Sequence, residues 1–148
     1  MALGGVSLQI KMHDRQLDRM LRQSTARGLQ RAGAFYYSKC RQAVSRPNTG
    51  TRRKRTRGKG QYTVYDHPSQ PGEPPRLRTG QGRDETVYGY NGNKDDPIVR
   101  VGVTRKGIYM LYLELGTRRI QPRPWLLATL KQFRDMIGRL AVTGGGGQ

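Results

Sequence analysis

Residues able to do acid–base, nucleophilic or metal chemistry are few in this chain and poorly spaced for it. The acidic pairs Asp84-Glu85 and Asp95-Asp96 are each adjacent in sequence and flank predicted turns. Neighbouring residues of a strand point to opposite faces, so neither pair converges as a general acid and base; holding a divalent metal for nuclease chemistry is the one use left to them. His13 and His67 stand far apart, with no second histidine or cysteine at ligand spacing. Cys40 falls on the apolar stripe of a predicted helix and reads as a core residue, not a nucleophile. The sequence carries no phosphate-cradling or dinucleotide-binding glycine pattern. The expectation is a protein that is not an enzyme and needs no cofactor or metal.

The chemistry the chain does carry is charge. Lys and Arg number 28 against 10 Asp and Glu, a formal net charge of +18. The densest block is Arg52, Arg53, Lys54, Arg55, Arg57 and Lys59, with Arg46 before it and Arg76 and Arg78 after it. Such a block repels itself unless it lies against phosphate or an acidic protein face. No helix-turn-helix, zinc finger or RNA-binding aromatic motif accompanies it. Any nucleic-acid contact should therefore be to the backbone, without base reading.

The elements that must position this charge follow from periodicity. Residues 6–12 alternate as a half-buried strand, and a helix of about 30 residues, roughly 45 Å long, follows from Asp14 to the stop at Arg46-Pro47. Its apolar face carries Leu17, Met20, Leu21, Leu29, Ala32, Tyr36, Cys40 and Val44. Gly28 and Gly33 lie on or beside that face, where they permit a bend or the close approach of another backbone. Residues 47–82 read as a long basic, proline-rich loop, interrupted only by the strand-like Tyr62-Thr63-Val64-Tyr65. Strands are predicted over 85–90, 98–103 and 108–115, joined at Asn91-Gly92-Asn93 and Arg105-Lys106-Gly107 as an antiparallel meander. A helix over 125–140 presents Leu126, Leu127, Leu130, Phe133, Ile137 and Leu140 on one face, and 142–148 is a flexible glycine tail. The fold class predicted is α+β: an antiparallel sheet of about four strands packed by a long N-terminal helix and a C-terminal helix, in a single domain over 1–148. The one cysteine excludes an internal disulfide framework. With no apolar run of about 18 residues and no signal-peptide pattern, the expectation is a soluble protein made in a reducing cytoplasm, without a membrane partner.

Residues 109–126, YMLYLELGTRRIQPRPWL, are the most distinctive stretch. Glu114 is an isolated acid in an apolar run beside Arg118, Arg119 and Arg123, and burial would require it to be paired, within the subunit or across an interface; an ion pair within the chain that holds the turn is the expectation. Pro122 and Pro124 stiffen the approach to a helix that begins at Trp125, itself read as a core plug. The pattern Tyr109, Tyr112, Glu114, Gly116, Thr117, then Pro122, Pro124 and Trp125, resembles the signature of a tailed-bacteriophage family of small neck and tail-completion proteins. Pro71-Gly72-Glu73-Pro74-Pro75 through Thr79-Gly80 is similar to a proline-rich segment that many members carry. The likeness covers roughly residues 10–141. It departs from the family at 81–87, which is more polar here, and at 52–59, which looks like an insertion.

That resemblance implies a virion structural protein of the head–tail connector, a neck protein acting in tail completion or as a tail terminator. It implies a homo-oligomeric ring, hexamer or dodecamer, through which genomic double-stranded DNA passes. Its neighbours would be head-completion or adaptor proteins on one side and tail-terminator or tail-tube proteins on the other, and it would reside in the virion after assembly in the host cytoplasm. Charge alone supports a different reading, a free non-specific nucleic-acid-binding protein. A nuclease using Asp84, Glu85, Asp95 or Asp96 is a third.

Overall fold

A computed structural model describes residues 26–58, 60–67, 69–92 and 97–143. Helix α1 spans Ala26–Ala43 and buries Gly28, Ala32, Gly33 and Cys40 along one side. It stops where Ser45 turns the chain: the Ser45 N–H donates to the Gln42 carbonyl (3.2 Å), its hydroxyl to the Arg41 carbonyl (2.6 Å), and Pro47 then cannot extend the ladder. The first half of the expected helix and the strand over 6–12 lie outside the described residues.

Strands β1 (Thr49–Arg57) and β2 (Gly60–His67) form an antiparallel ribbon with Arg52 opposite Tyr65, Arg55 opposite Tyr62 and Arg57 opposite Gly60. About half of the segment expected as a loop over 47–82 is therefore a hairpin. The β-prone run at Tyr62–Tyr65 supplies the partner strand, and Gly58, at φ 62°, supplies the left-handed backbone that a tight hairpin turn demands. A one-turn helix α2 (Gln81–Asp84) leads into a second ribbon, β3 (Thr86–Tyr90) and β4 (Val99–Val103), paired from Thr86 opposite Val103 to Tyr90 opposite Val99. A 3-10 turn (Arg105–Gly107), helix α3 (Tyr109–Leu115) and helix α4 (Leu126–Thr143) complete the described chain.

The class is α+β as expected, with a helix before the strands, antiparallel pairing and a C-terminal helix. The predicted sheet of about four strands is not formed among the described residues; two separate two-stranded ribbons take its place. Residues 108–115, read as a meander strand, are helical. A continuous apolar run has no period of two to enforce extended structure. Here Met110, Leu111 and Glu114 are buried while Tyr109, Tyr112 and Leu115 are exposed, which is the spacing of a helix with one side in the core. The connection at 105–107 is correspondingly not a hairpin turn. The Gly107 N–H donates to the Thr104 carbonyl (3.0 Å), and the short 3-10 turn aims the chain into α3. Helix α4 extends through Thr143, so residues 142 and 143 are not part of a tail, and 144–148 lie outside the described residues.

Two apolar clusters hold α1 between its neighbours. On one side Ala32 of α1 meets Ile137 and Ala141 of α4, and Phe35 stands edge-on to Phe133 with ring centres 5.7 Å apart. Gly28 makes this crossing possible, because a Cβ there would sit 2.0 Å from the Ala141 carbonyl oxygen. On the other side α1 lies against the β3–β4 ribbon, where the Tyr88 hydroxyl donates to the Gln30 carbonyl and the Tyr90 hydroxyl to the Ala26 carbonyl (3.1 and 3.2 Å). The larger cluster joins Cys40, Val44, Val103, Met110, Leu111 and Leu126 around Trp125, which is fully buried as predicted. Each such large side chain stabilises the fold by about 1.5–3 kcal/mol.

Candidate functional site

The signature residues divide into an inner set that braces α3 against α4 and an outer set on the surface. Glu114 is buried at the end of α3, facing the start of α4. One carboxylate oxygen accepts the N–H groups of Trp125 (2.6 Å) and Leu126 (3.0 Å), and the other accepts that of Leu127 (2.9 Å). The partner of this lone acid is therefore a helix N-terminus and not an arginine, correcting the ion pair expected from its neighbours. A carboxylate suits that place because first-turn N–H groups have no intrahelical acceptor and carry the positive end of the helix dipole. Gly116 ends α3 at φ 75°, a conformation costly for any residue with a Cβ, and its N–H donates to the Tyr112 carbonyl (2.9 Å). The Thr117 hydroxyl accepts the N–H groups of Arg119 and Ile120 (3.2 and 3.1 Å), tightening the turn. Pro122 fits against Gly116, its carbonyl accepts the Gly72 N–H (2.9 Å), and Pro124 leads directly into Trp125. Tyr109 (37% exposed), Tyr112 (50%) and Leu115 (64%), three residues apart on α3, and Ile120 (41%) in the turn after it are the exposed large apolar and aromatic residues of this segment.

The predicted basic residues separate into two places. Arg52, Arg53, Lys54, Arg55 and Arg57 all lie on β1, in both of its alternating sets of positions, while Lys59 lies outside the described residues. Arg76 and Arg78 belong instead to a pocket of about 320 Å³ between the end of α1, the 69–80 segment and α3. Two further arginines line it, Arg83 of α2 and Arg123 from between the two prolines. The Arg123 N–H donates to the Leu113 carbonyl (2.6 Å) and its guanidinium to the buried Ser69 hydroxyl, which leaves its Nε buried without a hydrogen-bond partner. The Leu77 N–H donates to the Arg46 carbonyl and the Asn48 amide to the Leu77 carbonyl (both 2.7 Å), tying the pocket wall to the base of the β1–β2 ribbon. Arg83 and Arg123 carry no spacing signal, since four separate segments meet to build the pocket and only the fold brings them together.

Among the described residues, those considered for acid–base chemistry do not converge. Asp84 is exposed, and its hydrogen bond from Arg83 (Nε to Oδ1, 2.9 Å) holds its carboxyl below the usual carboxylate range. Glu85 accepts the Thr104 hydroxyl, and Asp95 and Asp96 lie outside the described residues. Among the described residues no group of three or more His, Cys, Asp or Glu could hold a metal ion. Cys40 is fully buried, and burial pushes its thiol up to about 12, with a hydrogen bond to Tyr36 acting against that rise. Burial likewise raises the Tyr36 phenol, which donates to the Leu126 carbonyl (2.9 Å). Among the described residues no helix is long and apolar enough to cross a membrane. Comparison with family models, with curated proteins and with solved structures finds no match in any of the three.

Proposed function

We propose that this chain is a virion structural protein of the head–tail connector of a tailed bacteriophage, one subunit of a ring that joins or completes the tail and lets double-stranded DNA pass. The observation that carries this reading is the division of the 109–126 segment. Its inner residues Glu114, Gly116 and Trp125 are used up in bracing two helices, whereas Tyr109, Tyr112, Leu115 and Ile120 are exposed. A rigid aromatic strip on a small basic protein suits a subunit–subunit or ring–ring contact. The β1–β2 ribbon gives the subunit a second, cationic feature suited to phosphates or to the acidic face of an adjacent ring.

The same ribbon supports the alternative of a free protein that binds nucleic acid without sequence preference, since a two-stranded ribbon fits a major groove. Native mass spectrometry at moderate salt, alone and with a short duplex, separates the two. A hexamer or dodecamer is expected for the ring; a monomer that binds duplex assigns the alternative, and a monomer that does neither refutes self-assembly. If duplex binds through β1, replacing Arg53, Arg55 and Arg57 by Gln should lower the slope of log K against log salt by about 3. An unchanged slope would remove DNA from the ribbon's role.

A further inference from the structure

The pocket beside α3 joins two chemistries that one kind of ligand satisfies. Val44, Leu77, Tyr109, Met110 and Leu113 give it apolar walls. Arg76, Arg78, Arg83 and Arg123 also line it; no Asp or Glu is among its described lining residues, and the exposed Glu73 and Asp84 stand just outside it at 3.7 Å from Arg76 and 2.9 Å from Arg83. The Arg123 Nε is buried and lacks an acceptor, an unmet demand for a hydrogen-bonding anion or carbonyl. The exposed strip continues from the pocket through Tyr109 to Tyr112 and Leu115, so an occupant can extend beyond it.

We propose that this pocket and the adjoining α3 strip dock an acidic peptide segment of a different protein, one in which Asp or Glu alternates with bulky apolar residues. A volume of about 320 Å³ lies at the small end of ligand-sized clefts and admits side chains of a peptide, not a duplex. A phosphate backbone would engage the arginines but leave the apolar walls unfilled. A second copy of this chain is a poor source of the acid. The net charge is +18, and among the described residues the exposed acids Glu73, Asp84 and Asp135 already stand beside Arg76, Arg83 and Arg134. Carboxylates placed against guanidinium groups with partly buried surroundings make strong, planar pairs, and the apolar neighbours supply the desolvation. This inference rests on the pocket and holds whether or not the chain builds a ring.

The test uses the full chain and a fluorescein-labelled probe, acetyl-Glu-Leu-Glu-Phe-Glu-Leu-amide, with its Gln-for-Glu counterpart, read by anisotropy. The Glu peptide should bind, and the Gln peptide should bind about tenfold more weakly. Arg78→Gln, at an exposed position that should not disturb folding, and Arg123→Gln should each weaken the Glu peptide by about tenfold, whereas Lys131→Gln, the same charge loss on the outer face of α4, should not. Circular dichroism of each variant checks its fold. Equal binding of the two peptides, equal loss with Lys131→Gln, or no binding at all overturns the proposal. So does a short DNA duplex whose affinity falls as much as the peptide's on Arg78→Gln, because the pocket would then be a phosphate site. Self-association lost on Arg78→Gln without peptide binding would give the pocket to a second copy.

Discussion

Replacing Glu114 by Ala should be the most damaging single truncation of a polar residue in this fold. Its carboxylate accepts three backbone N–H groups at 2.6, 3.0 and 2.9 Å in a buried setting, so truncation strands three donors at the start of α4. Each unsatisfied buried donor costs about 1–3 kcal/mol, and loss of a charge from a partly buried helix N-terminus adds up to about 2 kcal/mol. Water entering the space left behind recovers part of this, which places the expected loss at about 3–5 kcal/mol against a total stability of about 5–15 kcal/mol. Exchanging a buried ion pair for apolar residues is often neutral because both charges leave together. That escape is closed here, since the partners are main-chain groups that every variant retains. Glu114→Gln keeps one oxygen for the Trp125 and Leu126 donors but turns an amide NH2 toward Leu127, and should cost about 1–3 kcal/mol. Trp125 is the only tryptophan and is fully buried, so urea unfolding followed by its fluorescence reads the brace directly. A loss below about 1 kcal/mol for Glu114→Ala, with an unchanged m-value, would refute the assignment of Glu114 as the acceptor for α4.

Gly28→Ala should destabilise by about 1–3 kcal/mol or more, measured as a shifted urea midpoint, because its Cβ would meet the Ala141 carbonyl at 2.0 Å and the obstacle is backbone, which cannot rotate away. Stability should also fall above pH 9. The unfolded Cys40 thiol releases its proton near its ordinary 9.0 while the native thiol holds it to about 12, so the native state binds more protons across that window and loses up to about 1.4 kcal/mol per pH unit. Tyr36, raised by burial, acts in the same direction. Urea melts at pH 7, 9 and 10.5 should show the decline, and Cys40→Ala should flatten part of it; a slope unchanged by that substitution would place the titration elsewhere.

The parts of the fold legible in the sequence are those where a period or a breaker acts locally. The second half of the first helix, the Thr86–Tyr90 and Val99–Val103 strands and the last helix are found within a few residues of their predicted bounds, since apolar residues recur at helical spacing in the two helices and the two strands are short runs rich in valine and tyrosine next to turn-forming residues. The Ile108–Leu115 run was illegible because a stretch that is apolar or aromatic at every position but Glu114 fits either geometry. What selects the helix is tertiary: as a helix it places Glu114 at the first turn of α4 and Met110 and Leu111 beside Trp125. The β1 strand was hidden for the opposite reason. Five like charges in nine residues argue for a solvated loop, and only the pairing with Gly60–His67 makes extended structure pay. The arginine pocket had no local trace, being assembled across about eighty residues of chain.

That helical choice bears on function as well as fold. Turning one residue per 100° instead of alternating, α3 delivers Glu114 and Met110 inward while setting Tyr109 at the pocket and Tyr112 and Leu115 on the surface. The brace to α4 and the outer strip are therefore two faces of a seven-residue helix that cannot shift independently. Loosening the Glu114 contacts should disturb the strip and the Arg123 wall together, because Arg123 hydrogen-bonds the Leu113 carbonyl one residue before the brace. A change in partner binding on Glu114→Gln would thus report coupling through α3, whereas Tyr112→Ala or Leu115→Ala, at exposed positions on the other side of the same helix, tests the contact itself.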